Sequence, residues 1–412
     1  MELERAANRR AVVAHRMPVR VAGAAESAEI DAAAIASGIP SRALMRVAAA
    51  NAATVIAARA ARGERGARSG GVIVYTGRGN NGGDGWAVAR SLAMAGCHVV
   101  VREIVSAATP DAIAERDAYR ACCANASDDE YSGSVIVDAM LGTGSAGEPR
   151  GAIAAAVNAV NALRSRGATV VSLDVPTGLD ATSGAGELTV HADLTLNFGT
   201  CKRGALAARG RCGELIVLDI GLETNDEQLP LLVDVEYVRA NVPKVPATAH
   251  KGTRGKLAVV AGARGMGGAA ILAAKGALLS GIGLLKVVTD DCNVTSVHAQ
   301  VPEALTGSLT DAAGAIAGWA DAVLIGPGLG HDANARALVL DILQAWRGPV
   351  VVDADALNVF DNNVAALASL LAGRSALITP HPAELGRLLG RDVEDVLANR
   401  FDIAVEVART LG

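Results

Sequence analysis

The sequence predicts two successive α/β domains, each built on a parallel β-sheet. Short apolar runs alternate with Ala-rich stretches of helical spacing, and that alternation is the pattern of repeated strand–helix–strand units. Apolar residues make up 51% of the chain and aromatics only 2%, so Ala, Val, Leu and Gly must fill the interior, which suits a parallel sheet covered by small-residue helices. The length of 412 residues corresponds to two or three domains, and the alternation breaks once, between Gly221 and His250.

The elements follow in order. Met1 to Arg20 is basic and lacks both a long apolar stretch and a cleavage site, so residues 1–25 are expected to be a disordered extension and not a secretory signal. Ser27 to Arg62 carries helical spacing, broken into two helices at Gly38-Ile39-Pro40-Ser41, with Ser41 as the expected N-cap. Strands are then predicted at Val72–Tyr75, His98–Ile104, Ser134–Asp138, Thr169–Leu173, Leu194–Phe198 and Glu214–Leu218. The first domain is therefore placed at 26–222. Residues 223–248 contain Asn225, Asp226, Glu227, Pro230, Pro243 and Pro246 without a sustained period, and read as a linker. A second series, at 249–412, has strands at Lys256–Ala261, Leu284–Thr289, Ala322–Ile325, Pro349–Val352 and Ala376–Ile378.

Charge and cysteine content narrow the function. A net charge of −5 offers no basic footprint for nucleic acid. An anionic ligand would be met by local backbone N–H groups or an Arg. Cys97, Cys122, Cys123, Cys201, Cys212 and Cys292 form no CxxC pair and no zinc spacing, and read as free thiols of a reducing cytosol. No uninterrupted apolar run of ~18 residues occurs, so no membrane span and no membrane partner is expected.

Chemistry concentrates at three strand ends. The first strand runs into Gly77-Arg78-Gly79-Asn80-Asn81-Gly82-Gly83-Asp84-Gly85, followed by a helix expected over Trp86–Ala95. Glycines let backbone approach a phosphate, and a helix N-terminus offers free N–H groups and a positive dipole end. Glu103, at the end of the next strand, stands where a ribose-binding acid lies in a dinucleotide fold. A plain tight turn would explain the glycines, but not two Asn and an Asp. The third strand ends Asp138-Ala139-Met140-Leu141-Gly142-Thr143-Gly144, and the fourth ends Asp174-Val175-Pro176-Thr177-Gly178-Leu179-Asp180. Ligands of open parallel sheets sit beyond the carboxyl ends of the strands, so three loops should converge on one rim. Asn81, Asp138 and Thr177 offer oxygen donors for a hard cation. Either carboxylate could also act as a general base if desolvated, or simply cap the next helix.

These segments resemble the NAD(P)H-hydrate epimerase family, through Gly79 to Gly85, Val137 to Gly144 and Asp174 to Asp180, together with Gly38-Ile39-Pro40 and Leu44-Met45. The resemblance implies a Rossmann-like three-layer αβα fold and interconversion of the two C6 epimers of hydrated NADH or NADPH. It also implies that Asn80, Asn81, Gly82, Gly83 and Asp84 hold the hydrate. Gly142, Thr143, Gly144, Ser145, Ala146, Gly147 and Glu148 would share that task, with Asp174 beside it. Placed there, Asp174 is the candidate catalytic residue, in an acid–base or orienting role at C6. A potassium ion would be held by Asn81, Asp138 and Thr177. Two positions depart from the family: Thr177 stands where Ser is usual, and Arg46 where Glu is usual.

The second half resembles the ADP-dependent NAD(P)H-hydrate dehydratase family, which has a ribokinase-like fold. The resemblance lies in His250-Lys251-Gly252, Gly262 to Ala269, Gly326-Pro327-Gly328-Leu329-Gly330, Asp353 to Asn358 and Thr379 to Glu384. It implies ADP or ATP with Mg2+ as cofactors, and Ala269, Gly328 and His381 as contacts to the hydrate. His381, between two prolines, has a rigid structural histidine as its alternative reading. The Gly262 loop lacks the Lys-Ser/Thr ending of a P-loop. The family's dehydratases continue with a Gly-rich anion loop and a Gly-Asp pair whose Asp is the base. Those residues do not follow before Gly412, so the second domain is expected to be truncated and to dehydrate poorly. A cytoplasmic homo-oligomer is expected. Two other classes stay open: a nicotinamide-dependent oxidoreductase using Glu103 with Tyr131 or His191, and a non-catalytic nucleotide-binding module.

Overall fold

A computed structural model describes residues 18–62, 71–123, 135–222 and 228–412. The chain divides between Val242 and Pro243 into two compact units.

The first unit opens with β1 (Val21–Ala22), α1 (Ala24–Ala36) and α2 (Ser41–Arg62). There follow β2 (Val72–Thr76), α3 (Asn80–Met94), β3 (Val99–Glu103), α4 (Pro110–Cys122), β4 (Val135–Ala139), α5 (Gly151–Ser165) and β5 (Thr169–Leu173). The unit closes with β6 (Leu194–Phe198), β7 (Cys201–Lys202), the short helices α6 (Arg203–Ala207) and α7 (Arg209–Cys212), β8 (Glu214–Leu218) and α8 (Val235–Asn241). The six main strands form one parallel sheet in the order β3-β2-β4-β5-β6-β8. Each predicted strand forms within one residue of its expected bounds, except that Ser134 lies outside the described residues.

Both faces of this sheet are covered because both sets of alternating side chains are apolar. Val72 and Val74 pack with Ala48, Ala52 and Ile56 of α2 and with Trp86 and Leu92 of α3. Their neighbours Ile73 and Tyr75 point the other way, onto Ile153, Val157 and Val160 of α5. A period of two places neighbours on opposite faces. Over Ser41–Ala61, α2 is long and apolar enough to cross a membrane by length and composition. Its stripe of Leu44, Met45, Ala48, Ala52 and Ile56 is spent on the core instead.

Four local expectations are corrected. Ser41 does not cap α2: it is the first helical residue, and its hydroxyl donates to the Asp111 carboxylate. The helix after β2 begins at Asn80, six residues before the expected Trp86, so the Asn-Asn-Gly-Gly-Asp run is helix and not loop. The extension placed at 1–25 contains ordered chain: Val19 and Val21 are buried with Cys201 and Val217, and β1 pairs parallel with β7. The segment read as a linker is partly built in. Val21 N–H donates to Pro230 O at 2.8 Å and Leu232 N–H to Val19 O at 2.8 Å, and α8 is capped by Asp234, which accepts from Tyr237 N–H at 2.8 Å. Pairings of such short segments leave no period to read.

The second unit carries β9 (Lys256–Val260), α9 (Gly267–Leu279), β10 (Leu284–Thr289), α10 (Val294–Gln300), β11 (Leu305–Ser308), α11 (Ala312–Ile316), β12 (Ala322–Ile325) and α12 (Ala333–Ala345). Then come β13 (Val350–Val352), α13 (Asp355–Asn358), α14 (Val364–Leu371), β14 (Ala376–Ile378), α15 (Pro382–Leu389), α16 (Val393–Ala398) and α17 (Ile403–Leu411). Its sheet is also parallel, ordered β11-β10-β9-β12-β13-β14. Only β11 was absent from the sequence reading; its Leu-Thr-Gly-Ser gives no apolar run.

In each sheet the strand order reverses direction once, between β2 and β4 in the first and between β9 and β12 in the second. Loops leaving such a pair diverge to opposite faces and open a crevice at the carboxyl edge.

Candidate active site

A cleft of about 700 Å3 opens at the first switch point, a size that holds a nucleotide-like ligand. Residues 78–81 and Asp84 follow β2, residues 140–145 follow β4, and Asp174 follows β5; all line it. Lys202 lines it too, along with side chains of α1 and α2.

The glycines after β2 serve packing more than ligand approach. A Cβ on Gly77 would stand 1.9 Å from the Met140 carbonyl oxygen, and one on Gly82 2.0 Å from that of Gly77. On Gly83 it would meet Met45 Cε at 2.7 Å and Ala112 Cα at 3.0 Å, and on Gly85 the Ala139 Cβ at 2.6 Å. These residues let α3 press against β2, β4 and α4. Gly82 and Gly83 therefore lie beneath the cleft wall and do not line it. Gly79 alone in this run faces open space within 4 Å.

Asp138 is fully buried and ties two loops together. One oxygen accepts from Ser172 Oγ at 2.9 Å and Thr177 N–H at 2.8 Å; the other accepts from Thr177 Oγ1 at 2.6 Å and Met140 N–H at 3.3 Å. Burial raises its pKa, and the Thr177 and Ser172 hydrogen bonds oppose the rise. All four acceptor positions of the carboxylate are thus engaged. That argues against Asp138 as a free general base and against a helix-capping role. Thr177 Oγ1 in turn accepts from Leu141 N–H at 3.0 Å. Asn81 Nδ2 donates to Leu141 O at 2.9 Å, while Asn81 Oδ1 is buried without a hydrogen-bond partner. Asn81, Asp138 and Thr177 are therefore linked around one stretch of chain, Met140 to Leu141.

Asp174 is 9% exposed and adopts φ +63°. This left-handed conformation is uncommon outside glycine and costs on the order of 1–3 kcal/mol, which tends to be stored at functional sites. Its backbone is held by Asp174 N–H donating to Leu196 O at 2.8 Å and by Asn197 Nδ2 donating to Asp174 O. Oδ1 pairs with Lys202 Nζ at 2.9 Å and accepts from Phe198 N–H at 3.3 Å. Lys202 is 3% exposed, and its ammonium also donates to Phe198 O at 2.8 Å and Thr200 O at 3.2 Å. Two further acids share this ground. Desolvation pushes Asp84 well above the usual carboxylate range, with Asp174 and Asp31 adding and Lys202 opposing. Asp31, open on the rim, is raised by desolvation and by Asp174, against Lys202. One buried ammonium, paired with Asp174, thus shares the cleft with two further carboxylates.

Lys202 escaped the sequence reading. It lies 28 positions beyond Asp174, in a strand of two residues, and a lone Lys after a predicted strand carries no signal. A hint was available in Asn197 and Thr200, polar residues at the end of an apolar strand.

Other expected residues stand elsewhere. Glu103 is not free for a ribose: it pairs with Arg120 at 2.8 Å and Arg116 at 3.7 Å and accepts from Ala107 N–H at 3.1 Å. Ala146, Gly147 and Glu148 do not line the cleft; the Glu148 carboxylate accepts from Glu187 and Leu188 N–H at 2.8 and 3.0 Å, which lowers its pKa. Gly142 does line it, packed 3.0 Å from Asn81 Cβ as judged by a built Cβ, with Thr143, Gly144 and Ser145 beside it. His191 precedes β6 and so sits at the amino edge, away from the cleft. Tyr131 lies outside the described residues. Arg46 joins Arg42 and Arg90 around the buried Glu115 carboxylate, at 2.8, 2.6 and 3.1 Å, so its departure from the family pattern is answered by an ion-pair cluster between α2, α3 and α4.

In the second unit, Ala269 and Gly328 meet at the β9–β12 switch point: a Cβ on Gly328 would lie 2.8 Å from that of Ala269, and Ala263 N–H donates to Gly328 O at 2.7 Å. His381 follows β14 and caps α15. Its Nδ1 accepts from Ala383 and Glu384 N–H at 3.2 and 3.3 Å, and Glu384 returns the bond to His381 N–H at 3.0 Å. Ala354, at φ +48° between Asp353 and Asp355, adds a second strained residue at a strand end. Asp353 accepts the Thr379 hydroxyl at 2.7 Å, and Asp355 accepts Gly330 N–H at 2.8 Å.

Two parallel αβα units, each with a Gly-rich crevice at its switch point and the first with a buried acid–lysine pair, define the class: a two-domain enzyme that binds nucleotide-like anions. Residues 41–204 match the model of the YjeF-related protein N-terminus, and residues 257–412 that of NAD(P)H-hydrate dehydratase. The bifunctional NAD(P)H-hydrate repair enzyme of Thermanaerovibrio acidaminovorans is 35% identical over 93% of this chain and 79% of its own length. The namesake from Escherichia coli strain K12 is 32% identical over 82% and 67%, and that from Coxiella burnetii 35% over 80% and 69%. An ADP/ATP-dependent NAD(P)H-hydrate dehydratase from Bacillus subtilis, crystallised with ATP/Mg2+, is 32% identical over 43% of this chain and 62% of that one, at a TM-score of 0.38. This chain belongs to the bifunctional NAD(P)H-hydrate repair enzyme family.

Proposed function

We propose that the first unit interconverts the C6 epimers of hydrated NADH and NADPH, with Asp174 and Lys202 as the acid–base pair. One observation carries this reading. Asn80, Asn81 and Asp84 of the first turns of α3, the 140–145 loop and the Asp174–Lys202 pair line the same cleft. C6 of the hydrate bears a hydroxyl and the ring nitrogen. Asp174 takes the hydroxyl proton as the C6–N1 bond opens to an aldehyde, and Lys202 protonates the released nitrogen. Closure on the other face returns both protons, so no oxidant or second substrate is consumed.

Potassium is tested by the donors themselves. Asn81 Oδ1 is a buried acceptor without a partner, beside Thr177 Oγ1 and the Asp138 carboxylate. That open acceptor fits a cation, which Asn81 would hold directly, and Asp138 and Thr177 by each releasing one of the hydrogen bonds they now make. Bound there, it supplies positive charge that offsets the cleft's carboxylates. For the second unit we propose dehydration of the hydrate with ADP or ATP, with Ala269 and Gly328 nearest the substrate and His381 acting through the α15 cap. No group of three or more His, Cys, Asp or Glu is arranged for a metal among the described residues, so Mg2+ would arrive with the phosphates of the nucleotide. We place the enzyme in the cytoplasm, where its cofactor substrates are reduced and used.

Replacing Asp174 with Asn should stop epimer exchange, read by separating the two epimers of hydrated NADH over time, while ligand binding survives. Exchange at the wild-type rate would remove Asp174 from the mechanism.

A further inference from the structure

We infer that Arg78 is the diphosphate clamp of this cleft, a positioning residue for the dinucleotide substrate; this rests on the reading above. Asp31, Asp84, Asp111 and Asp174 line the cleft, against Arg78 and Lys202. The charge of Lys202 is already neutralised: its ammonium is paired with Asp174, and the Phe198 and Thr200 carbonyl oxygens hold it at that carboxylate. Arg78 is exposed, and its guanidinium makes no ion pair or hydrogen bond among the described residues. A dinucleotide brings a diphosphate of charge about −2 into a wall of carboxylates. The cation that meets it must be one the protein has not already neutralised.

Position separates the diphosphate from a ribose 2′-phosphate. Arg78 precedes Gly79, the N-cap of the 15-residue α3, which has no side-chain cap. Gly79 is also the one glycine of the run with no atom to meet a Cβ within 4 Å. Backbone there is open to a ligand, and a guanidinium one residue away can add a charge-assisted, bidentate contact to the same phosphate oxygens. The diphosphate is common to both hydrates, so Arg78 should not discriminate between them.

The test uses the full chain and the variants Arg78→Ala and Arg78→Lys. For Arg78→Ala, KM for epimer exchange should rise about tenfold on hydrated NADH and hydrated NADPH alike, the loss of one charged hydrogen-bonding contact. The turnover number should stay within about twofold, and Arg78→Lys should recover part of the loss. Inorganic diphosphate should inhibit the wild type competitively and the Ala variant about tenfold more weakly. An unchanged KM on both substrates overturns the inference, and so does a rise on hydrated NADPH alone. If the wild type shows no exchange at all, the epimerase reading fails separately. Inorganic diphosphate binding by calorimetry then decides Arg78, and equal affinity of wild type and Ala variant refutes it.

Discussion

Replacing Lys202 with Met removes the ammonium that faces Asp174 and leaves a carboxylate 13% exposed with one 3.3 Å backbone donor. Breaking a buried pair from one side costs about 3–5 kcal/mol, because the remaining charge is uncompensated. The lower end, about 3 kcal/mol, applies here, since Asp174 keeps that donor and some contact with the cleft. For a unit of this size it corresponds to a fall of roughly 6–12 °C in the midpoint of the first unit's transition. The loss should be conditional on the acid. In the double variant with Asp174→Asn the charge is gone, and Asn tolerates the positive φ that Ala would not. The Phe198 and Thr200 carbonyl oxygens lose Lys202 in both backgrounds, so their cost cancels in the cycle. A coupling energy of about 2 kcal/mol should remain. Scanning calorimetry of the wild type, both single variants and the double variant measures it. Strict additivity, or a Lys202→Met midpoint within about 1 °C of wild type, would refute the buried-pair argument.

Asp84→Asn should stabilise the first unit at neutral pH. Its folded pKa is raised, so the ionised form is penalised in the fold; the penalty is absent below the unfolded value near ~4 and grows as pH rises toward the folded one. Melting at pH 7 and pH 4 should show a gain at the first that vanishes at the second, and a gain independent of pH would contradict it. Gly83→Ala should cost about 1–3 kcal/mol by forcing Met45 and the α4 backbone aside, whereas Gly79→Ala should cost under about 1 kcal/mol; equal losses in denaturant titration would mean that packing does not explain these glycines. Thr177→Val should lose about 1–3 kcal/mol through the unmet Asp138 and Leu141 groups. It should also abolish any acceleration of epimer exchange by KCl over tetramethylammonium chloride, and a surviving potassium response would move the ion elsewhere.

The convergence of the three strand-end loops on one cleft was legible because its signals are local. Asn81 and Thr177 follow the ends of β2 and β5 and Asp138 is the penultimate residue of β4, and an open parallel sheet sends those ends to one edge. The meaning of the glycines was read less well. A phosphate loop and a tightly packed helix start both call for Gly, and only Met140, Met45, Ala112 and Ala139, arriving from other elements, show which demand operates. Glu103 matched a ribose-binding position by spacing, yet Arg116 and Arg120 on α4 claim its carboxylate. Spacing cannot report what a neighbouring helix will bring.

The sequence alone determined the two parallel αβα units, all their main strands but β11, and the edge at which the three strand-end loops of the first unit meet. It could do so because alternation, helical period and turn residues act over a few positions at a time. Tertiary structure decided the rest: that α3 begins at Asn80, that Asp174 is held at φ +63°, and that Lys202 is buried against it. These depend on which distant segments share a desolvated space, and the free energy of a charge there is set by its neighbours in three dimensions and not by those in the chain.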